Sequence, residues 1–334
     1  MAARKLIALT RGDPSGIGPE LTLKAWRALS SDPAAPAFFV SGETDHLAAL
    51  AENLGFTVPL ARIAAAAEAR AVFSRALPVL DSGAGVAGAP GAPDPADAAA
   101  TIRSIETCVD LVRAGEAGAL TTNPIAKEVL YRAGFAHPGH TEFLAELAGA
   151  PGDPAPRPVM LLWSPELAVV PATIHIPLAE ASRALNFGLL VETGEIVARD
   201  FREKFGIAAP RLAFSGLNPH AGEGGALGRE EIEIIAPAIA ALREKRIDAR
   251  GPFPADTMFH ERARRGYDVA ICMYHDQALI PIKTLAFDHG VNVTLGLSFS
   301  RTSPDHGTAF DIAGRGIADP SSLIAALRLA GRLA

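Results

Sequence analysis

Three of the nine histidines occur in one kind of setting. His175 (TIHIPL), His220 (GLNPHAGEGG) and His275 (MYHDQ) each follow an apolar stretch with strand character, with proline, glycine or an acid close behind. In an α/β fold the C-terminal ends of strands converge on one crevice. Imidazoles gathered there suit Zn²⁺, Co²⁺ or a similar divalent ion, with one coordination position left for a substrate. No local spacing of the H-E-x-x-H kind accompanies them, so the chemistry depends on the fold bringing them together. His46 and His260 fall on polar, helix-like surfaces and read as unremarkable, while His137 and His289 lie in turns and read as solvated.

The densest polar stretch is 273–320, where His275, Asp276, Gln277, Lys283, Asn292, Arg301, Asp305, His306 and Asp311 stand among short apolar runs. Such a density is usual for a site carried on strand ends. YHDQ follows the apolar run 269–273, and 291–297 reads as a strand with Asn292 at its start and Arg301 just beyond. DHGTAFDIAGRGIADP reads as a glycine-rich loop leading into the final helix, 321–333, with an acid placed to meet sugar hydroxyls. Near the other end, RGDPSGIGP separates a strand at 5–10 from a helix at 20–30. There Gly12, Gly16 and Gly18 let the backbone approach a ligand, and Pro19 leaves the helix amides free for an anion. HPGHTEF puts His140 and Thr141 at a helix start, where side chain and amides together can hold a phosphate or carboxylate. The competing reading makes Thr141 a plain helix cap with Glu142 in the first turn.

Positioning these groups requires alternating elements. Strands are expected at 37–40, 117–121, 159–163, 167–172 and 211–214, and helices at 44–54, 97–113 (capped by Asp97), 187–205 and 228–243. The Ala-rich run 61–76 predicts a surface helix or irregular structure, 82–95 a surface loop, and 151–158 a junction between lobes. PADT, with Asp256, reads as another strand-like end. This alternation predicts an α/β protein, and 334 residues suffice for one or two domains with a large core. A net charge of −6 with no basic stripe argues against a nucleic-acid surface, and Arg262, Arg264 and Arg265 read as a solvated helix end. Cys108 and Cys272 cannot build a disulfide framework and read as reduced core residues. No run approaches bilayer length, so a cytoplasmic protein that uses no membrane is expected.

Taken together, GDPSGIGPE, TNPIAK, HPGHTEF, TIHIPL, GLNPHAGEGG, MYHDQ and DHGTAFDIAGRG resemble the 4-hydroxythreonine-4-phosphate dehydrogenase family of pyridoxal-phosphate biosynthesis, within the isocitrate/isopropylmalate dehydrogenase-like superfamily. The resemblance spans essentially the whole chain. It implies two α/β/α lobes with the active site in the cleft between them, a nucleotide-side lobe of 1–135 plus 302–334 and a metal, substrate and dimerisation lobe of 136–301. It implies one divalent ion per site (Zn²⁺, Co²⁺ or Mg²⁺), held by His175 and His220 of one copy and His275 of another, and hence a homodimer. His140, Thr141, Lys283, Asn292 and Arg301 match family substrate-binding positions. Asp305–Asp319 resembles the superfamily's adenosine loop, so His306, Gly307, Asp311 and Asp319 join Gly12, Gly16 and Gly18 as cofactor residues. An acid at Asp311 repels a 2′-phosphate, which favours NAD over NADP. The implied reaction oxidises 4-phosphooxy-L-threonine to 2-amino-3-oxo-4-phosphooxybutanoate, which decarboxylates to 3-amino-2-oxopropyl phosphate. Either Asp256 or Lys283 takes the hydroxyl proton. Departures at Ala278, Ser298 and Ser300 keep open a dehydrogenase of threonate or erythronate 4-phosphate, and related folds without the redox cofactor keep open a non-redox phosphate acyltransferase.

Overall fold

The computed structural model describes residues 5–137, 139–149 and 155–334. Residues 151–154, half of the junction expected at 151–158, lie outside the described residues. The chain groups into two compact units, Met1–Pro158 with Leu297–Ala334, and Val159–Gly296. His140, Thr141 and Arg301 thereby fall in the first unit, whereas the sequence reading put them in the second.

The first unit carries β1 (Ile7–Thr10), β2 (Phe38–Gly42), β3 (Leu60–Ile63), β4 (Leu77–Asp81), β5 (Ala119–Thr121) and β12 (Arg301–Pro304). Their order is β3-β4-β2-β1-β5-β12, and every pairing is parallel. Side chains alternate across a strand, so a parallel sheet with both faces covered needs apolar residues at every position. β1 shows this directly: Ile7 and Leu9 enter one core cluster, Leu6 and Ala8 the other. Phe38 and Phe39 likewise go to opposite faces. One face is covered by α1 (Gly18–Leu29), α2 (Thr44–Asn53) and α12 (Ser321–Leu333), through Leu21, Leu47 and Leu323. The other is covered by α4 (Ala98–Arg113) and α6 (His140–Ala148), through Ile105 and Phe143. The short helices α3 (Ala69–Val72) and α5 (Lys127–Arg132) lie between strands in sequence.

The second unit holds β6 (Val159–Trp163), β7 (Ala168–Thr173), β8 (Arg211–Ser215), β9 (Asp248–Phe253), β10 (Val269–Tyr274) and β11 (Val291–Leu295), ordered β11-β6-β7-β10-β8-β9. β11, β6 and β7 pair antiparallel, and β7, β10, β8 and β9 run parallel. Its helices are α7 (Leu178–Ala184), α8 (Phe187–Glu203), α9 (Ala236–Glu244), α10 (Glu261–Arg264) and α11 (His275–Ala286). Asn186 caps α8 by accepting from the Leu189 N–H at 2.9 Å. Fully buried Asp200 on α8 takes the Gly296 N–H at 2.8 Å and pairs with Lys204 and Arg199.

Four elements differ from the sequence reading. The Ala-rich run 61–76 begins inside β3, the edge strand, and ends at β4, its neighbour, both too short to show visible alternation. β9 includes Arg250, Gly251 and Pro252, types that disguise a strand. α11 continues through Pro281, which in isolation signals a break. Asp97 does not cap α4; its carboxylate accepts from the Ala87 and Gly88 N–H groups and so anchors the 82–95 loop. Both cysteines are buried, and burial pushes the Cys108 thiol up to about 12. Among the described residues no helix is long and apolar enough to cross a membrane.

Candidate active site

In the second unit the three histidines leave three neighbouring parallel strands. His175 follows β7, His275 opens α11 directly after β10, and His220 follows β8. Tyr274 is in register with Thr173, and the Thr173 hydroxyl donates to the Met273 carbonyl at 2.8 Å, which ties the first two exits together. The His175 and His275 rings stand 5.7 Å apart at 46°. Both line a cavity of about 210 Å³ together with Thr173, Tyr274 and Asp276. His275 Nδ1 lies 2.7 Å from Asp276 Oδ1, a contact that places the proton on Nδ1 and leaves the Nε2 lone pair for a ligand. Two imidazoles, one of them oriented by a carboxylate, fit a divalent ion. Among the described residues no group of three His, Cys, Asp or Glu side chains is close enough to hold a metal. The pair brought together within one chain is His175 with His275, not His175 with His220 as the resemblance implied.

The backbone marks two of these positions as special. His175 sits at φ +51° and His220 at φ +52°, in the left-handed region that side-chain-bearing residues rarely adopt. From His220 to Gly224 five consecutive residues are left-handed, with φ between +43° and +77°. Each L-residue there costs about 1–2 kcal/mol, and such strain concentrates at functional sites.

Lys283 lies two turns along α11 from His275, on the face that also carries Asp276. Asn292 stands on β11 between buried Val291 and Val293, opposite Leu162 of β6. Asp256 is exposed in a short turn after β9, the strand beyond β8.

In the first unit His140 is the first residue of α6, whose cap position is Gly139 with no side-chain cap bond. Thr141 therefore is not the cap, and the first-turn amides are not taken by a capping side chain. Burial first, then the charges of Arg301 and Lys127, holds the His140 imidazole well below its ordinary value near 6.5, so it is neutral at physiological pH. Its Nε2 is sealed from solvent with no partner among the described residues. Arg301 is itself buried, which brings its guanidinium down to about 10, and it donates to the Thr122 hydroxyl from Nη2 at 2.6 Å. A buried cation beside an unpaired buried imidazole and an uncapped helix start fits an anion. Lys127 went unnoticed in the sequence although TNPIAK was singled out. A Cβ added at Gly139 would lie 3.1 Å from the Lys127 Nζ, so the amine folds over the start of α6. Asn123 of the same motif is a buried brace, donating to the Thr10 carbonyl and the Thr22 hydroxyl.

The expected cofactor loop also belongs to the first unit. Gly12 and Gly18 are pressed against Asn123, and Gly16 against Thr308. The reason given for these three glycines is thereby corrected: their missing side chains admit the chain itself rather than open space. Gly307 is different, since a Cβ there would meet nothing within 4 Å. His306 Nδ1 contacts the Gly307 carbonyl at 3.0 Å, its Nε2 is buried without a partner among the described residues, and burial lowers its basicity. Asp311 is exposed on the loop, while Asp319 accepts from the Ser321 N–H and hydroxyl at the start of α12, a capping role. Glu20 and Lys24 of α1 clamp the loop's far end. The Glu20 carboxylate accepts from the Gly316 and Ala318 N–H groups, and Lys24 donates to their carbonyls. The open Gly307 backbone, the orphaned His306 nitrogen and the exposed Asp311 carboxylate fit a dinucleotide.

Comparison with known proteins places this geometry. Residues 34–330 match the family model described as pyridoxal phosphate biosynthetic protein PdxA. A 4-hydroxythreonine-4-phosphate dehydrogenase of Methylorubrum populi is 61% identical over 98% of this chain and 94% of its own length. That of Xanthobacter autotrophicus is 58% identical over 100% of this chain and 95% of its own. The crystal structure of the Klebsiella pneumoniae 4-hydroxythreonine-4-phosphate dehydrogenase superposes with a TM-score of 0.87 at 37% identity, covering 99% of this chain and 98% of that one. The fold is that of an α/β dehydrogenase. Within that class, the chain belongs to the family of pyridoxal phosphate biosynthetic protein PdxA, the family of the 4-hydroxythreonine-4-phosphate dehydrogenases.

Proposed function

We propose that the protein oxidises 4-phosphooxy-L-threonine with NAD to 2-amino-3-oxo-4-phosphooxybutanoate, which loses CO₂ to give 3-amino-2-oxopropyl phosphate. The observation that carries this reading is identity near 60% over full length to relatives bearing that enzyme's name. When bound, the divalent ion supplies Lewis acidity at the reacting hydroxyl and the dinucleotide accepts the hydride. His175, His220 and His275 hold the ion, with Asp276 fixing the tautomer of His275. In the first unit Arg301, neutral His140 and Thr141 are assigned to an anionic group of the substrate; in the second, Lys283 and Asn292 are assigned to substrate binding. Asp256 or Lys283 accepts the hydroxyl proton. Gly307 and His306 receive the dinucleotide, and the Asp311 carboxylate accepts from ribose hydroxyls and disfavours a 2′-phosphate.

The working form in this reading is a cytoplasmic homodimer that completes the metal site with a histidine from the second copy. Nine of the eleven large apolar side chains exposed among the described residues belong to the second unit, including Leu178, Ile280 and Phe287. Exposed apolar surface of that kind favours association. A chelator-stripped preparation, assayed for NADH with 4-phosphooxy-L-threonine and threonate 4-phosphate before and after adding Zn²⁺, Co²⁺ or Mg²⁺, tests the whole proposal. Turnover of the amine-bearing substrate only when metal is restored is the expected result. Preference for threonate 4-phosphate rejects the substrate, and full activity without metal rejects the metal.

A further inference from the structure

The left-handed turn at His220 does not hold itself. Its ends are tied by backbone bonds from the Ala221 N–H to the Asn218 carbonyl and from the Leu227 N–H to the Gly222 carbonyl. Between them sits the carboxylate of Glu231, only 3% exposed, at the head of one π turn, Glu231–Ile235, that runs into α9. Its Oε1 accepts from the Leu217 N–H at 2.8 Å and the Asn218 N–H at 2.7 Å, and Oε2 accepts from the Asn218 amide at 3.0 Å. A Cβ at Gly222 would lie 2.5 Å from that Oε2, so the carboxylate is also pressed against the inside of the turn. One buried carboxylate thus holds the chain entering the turn and abuts the residue two beyond His220. π turns of this kind recur at functional sites, and here the extra residue aims Glu231 at the loop.

We propose that Glu231 is a positioning residue that holds His220 in the orientation needed to bind a divalent ion. The inference rests on the reading of His220 as a metal ligand and goes beyond it by naming what sets the ligand's backbone. Partners that orient a ligating histidine are typically worth 10–100-fold in metal affinity. Glu231→Ala, Glu231→Gln and His220→Ala variants of the full chain, stripped with chelator and titrated with Co²⁺, test it. X-ray absorption on the loaded proteins counts the imidazole nitrogens, and circular dichroism checks the fold. Glu231→Ala is expected to lose 10–100-fold in Co²⁺ affinity and one imidazole nitrogen. Glu231→Gln is expected to fall between it and the wild type, because the amide oxygen still accepts from Leu217 and Asn218 while its NH₂ faces the Asn218 amide. Wild-type affinity in Glu231→Ala, with His220→Ala impaired, overturns the role of Glu231 and leaves that of His220. Wild-type affinity in His220→Ala overturns the metal reading and this inference with it. Should Glu231→Ala fail to fold, Glu231→Gln decides alone: a reduced affinity supports the role, and an unchanged one overturns it.

Discussion

Buried imidazoles give this protein a pH signature that can be assigned to residues. Burial lowers the basicity of His46, His140 and His306 in the folded state. As pH falls through their ordinary value near 6.5, the unfolded chain therefore binds protons that the folded chain refuses. Stability then rises with pH across that window, and its loss toward pH 5 is expected to appear as a falling denaturation midpoint. His140→Gln should flatten part of that slope; an unchanged slope would mean that His140 is not held neutral. The same substitution should raise KM for the phosphorylated substrate more than it lowers kcat, since the residue is assigned to binding. His275 differs because Asp276 beside it orients the ring. Asp276→Asn is expected to weaken Co²⁺ binding by 10–100-fold, measured by titration.

The secondary elements are held in place by small buried ionic knots. Arg11, 4% exposed at the end of β1, pairs with Glu43 at 2.5 Å beyond β2 and faces Asp97 at 3.6 Å before α4. Removing one partner leaves the others buried and uncompensated, so Arg11→Ala should destabilise the protein by about 3–5 kcal/mol in chemical denaturation. Glu20, 1% exposed on α1, holds the expected cofactor loop through the amides of Gly316 and Ala318. Glu20→Ala should speed hydrogen exchange at those two amides while the β1 amides stay protected. Much of this scale was legible beforehand. The apolar run Ile7–Thr10 and the polar residues that end β7, β8 and β10 announce strands and a site by composition alone. Helix bounds at α1, α2 and α8 follow from their apolar spacing. What stayed hidden depends on distant partners. Glu231 reaches the amides that lead into the left-handed turn from more than a dozen residues away, and Asp97 looks like a cap until the 87–88 amides arrive. Lys127 gains a role only when Gly139 comes to lie beneath it.

At the scale of the molecule, each chain brings two imidazoles within 5.7 Å but no third ligand among the described residues, and its second unit carries most of the exposed apolar side chains. Phe287, 74% exposed, follows α11 one turn beyond Lys283. Phe287→Asp is expected to shift the protein toward monomer in sedimentation and to weaken Co²⁺ binding in parallel; a monomeric variant with full affinity would separate the metal from the dimer. The reaction itself is tested most directly by stoichiometry. Metal-loaded protein, NAD and 4-phosphooxy-L-threonine labelled in its carboxyl carbon should release labelled CO₂ in equimolar proportion to NADH. A folded, dimeric, metal-loaded protein that yields neither would contradict the account.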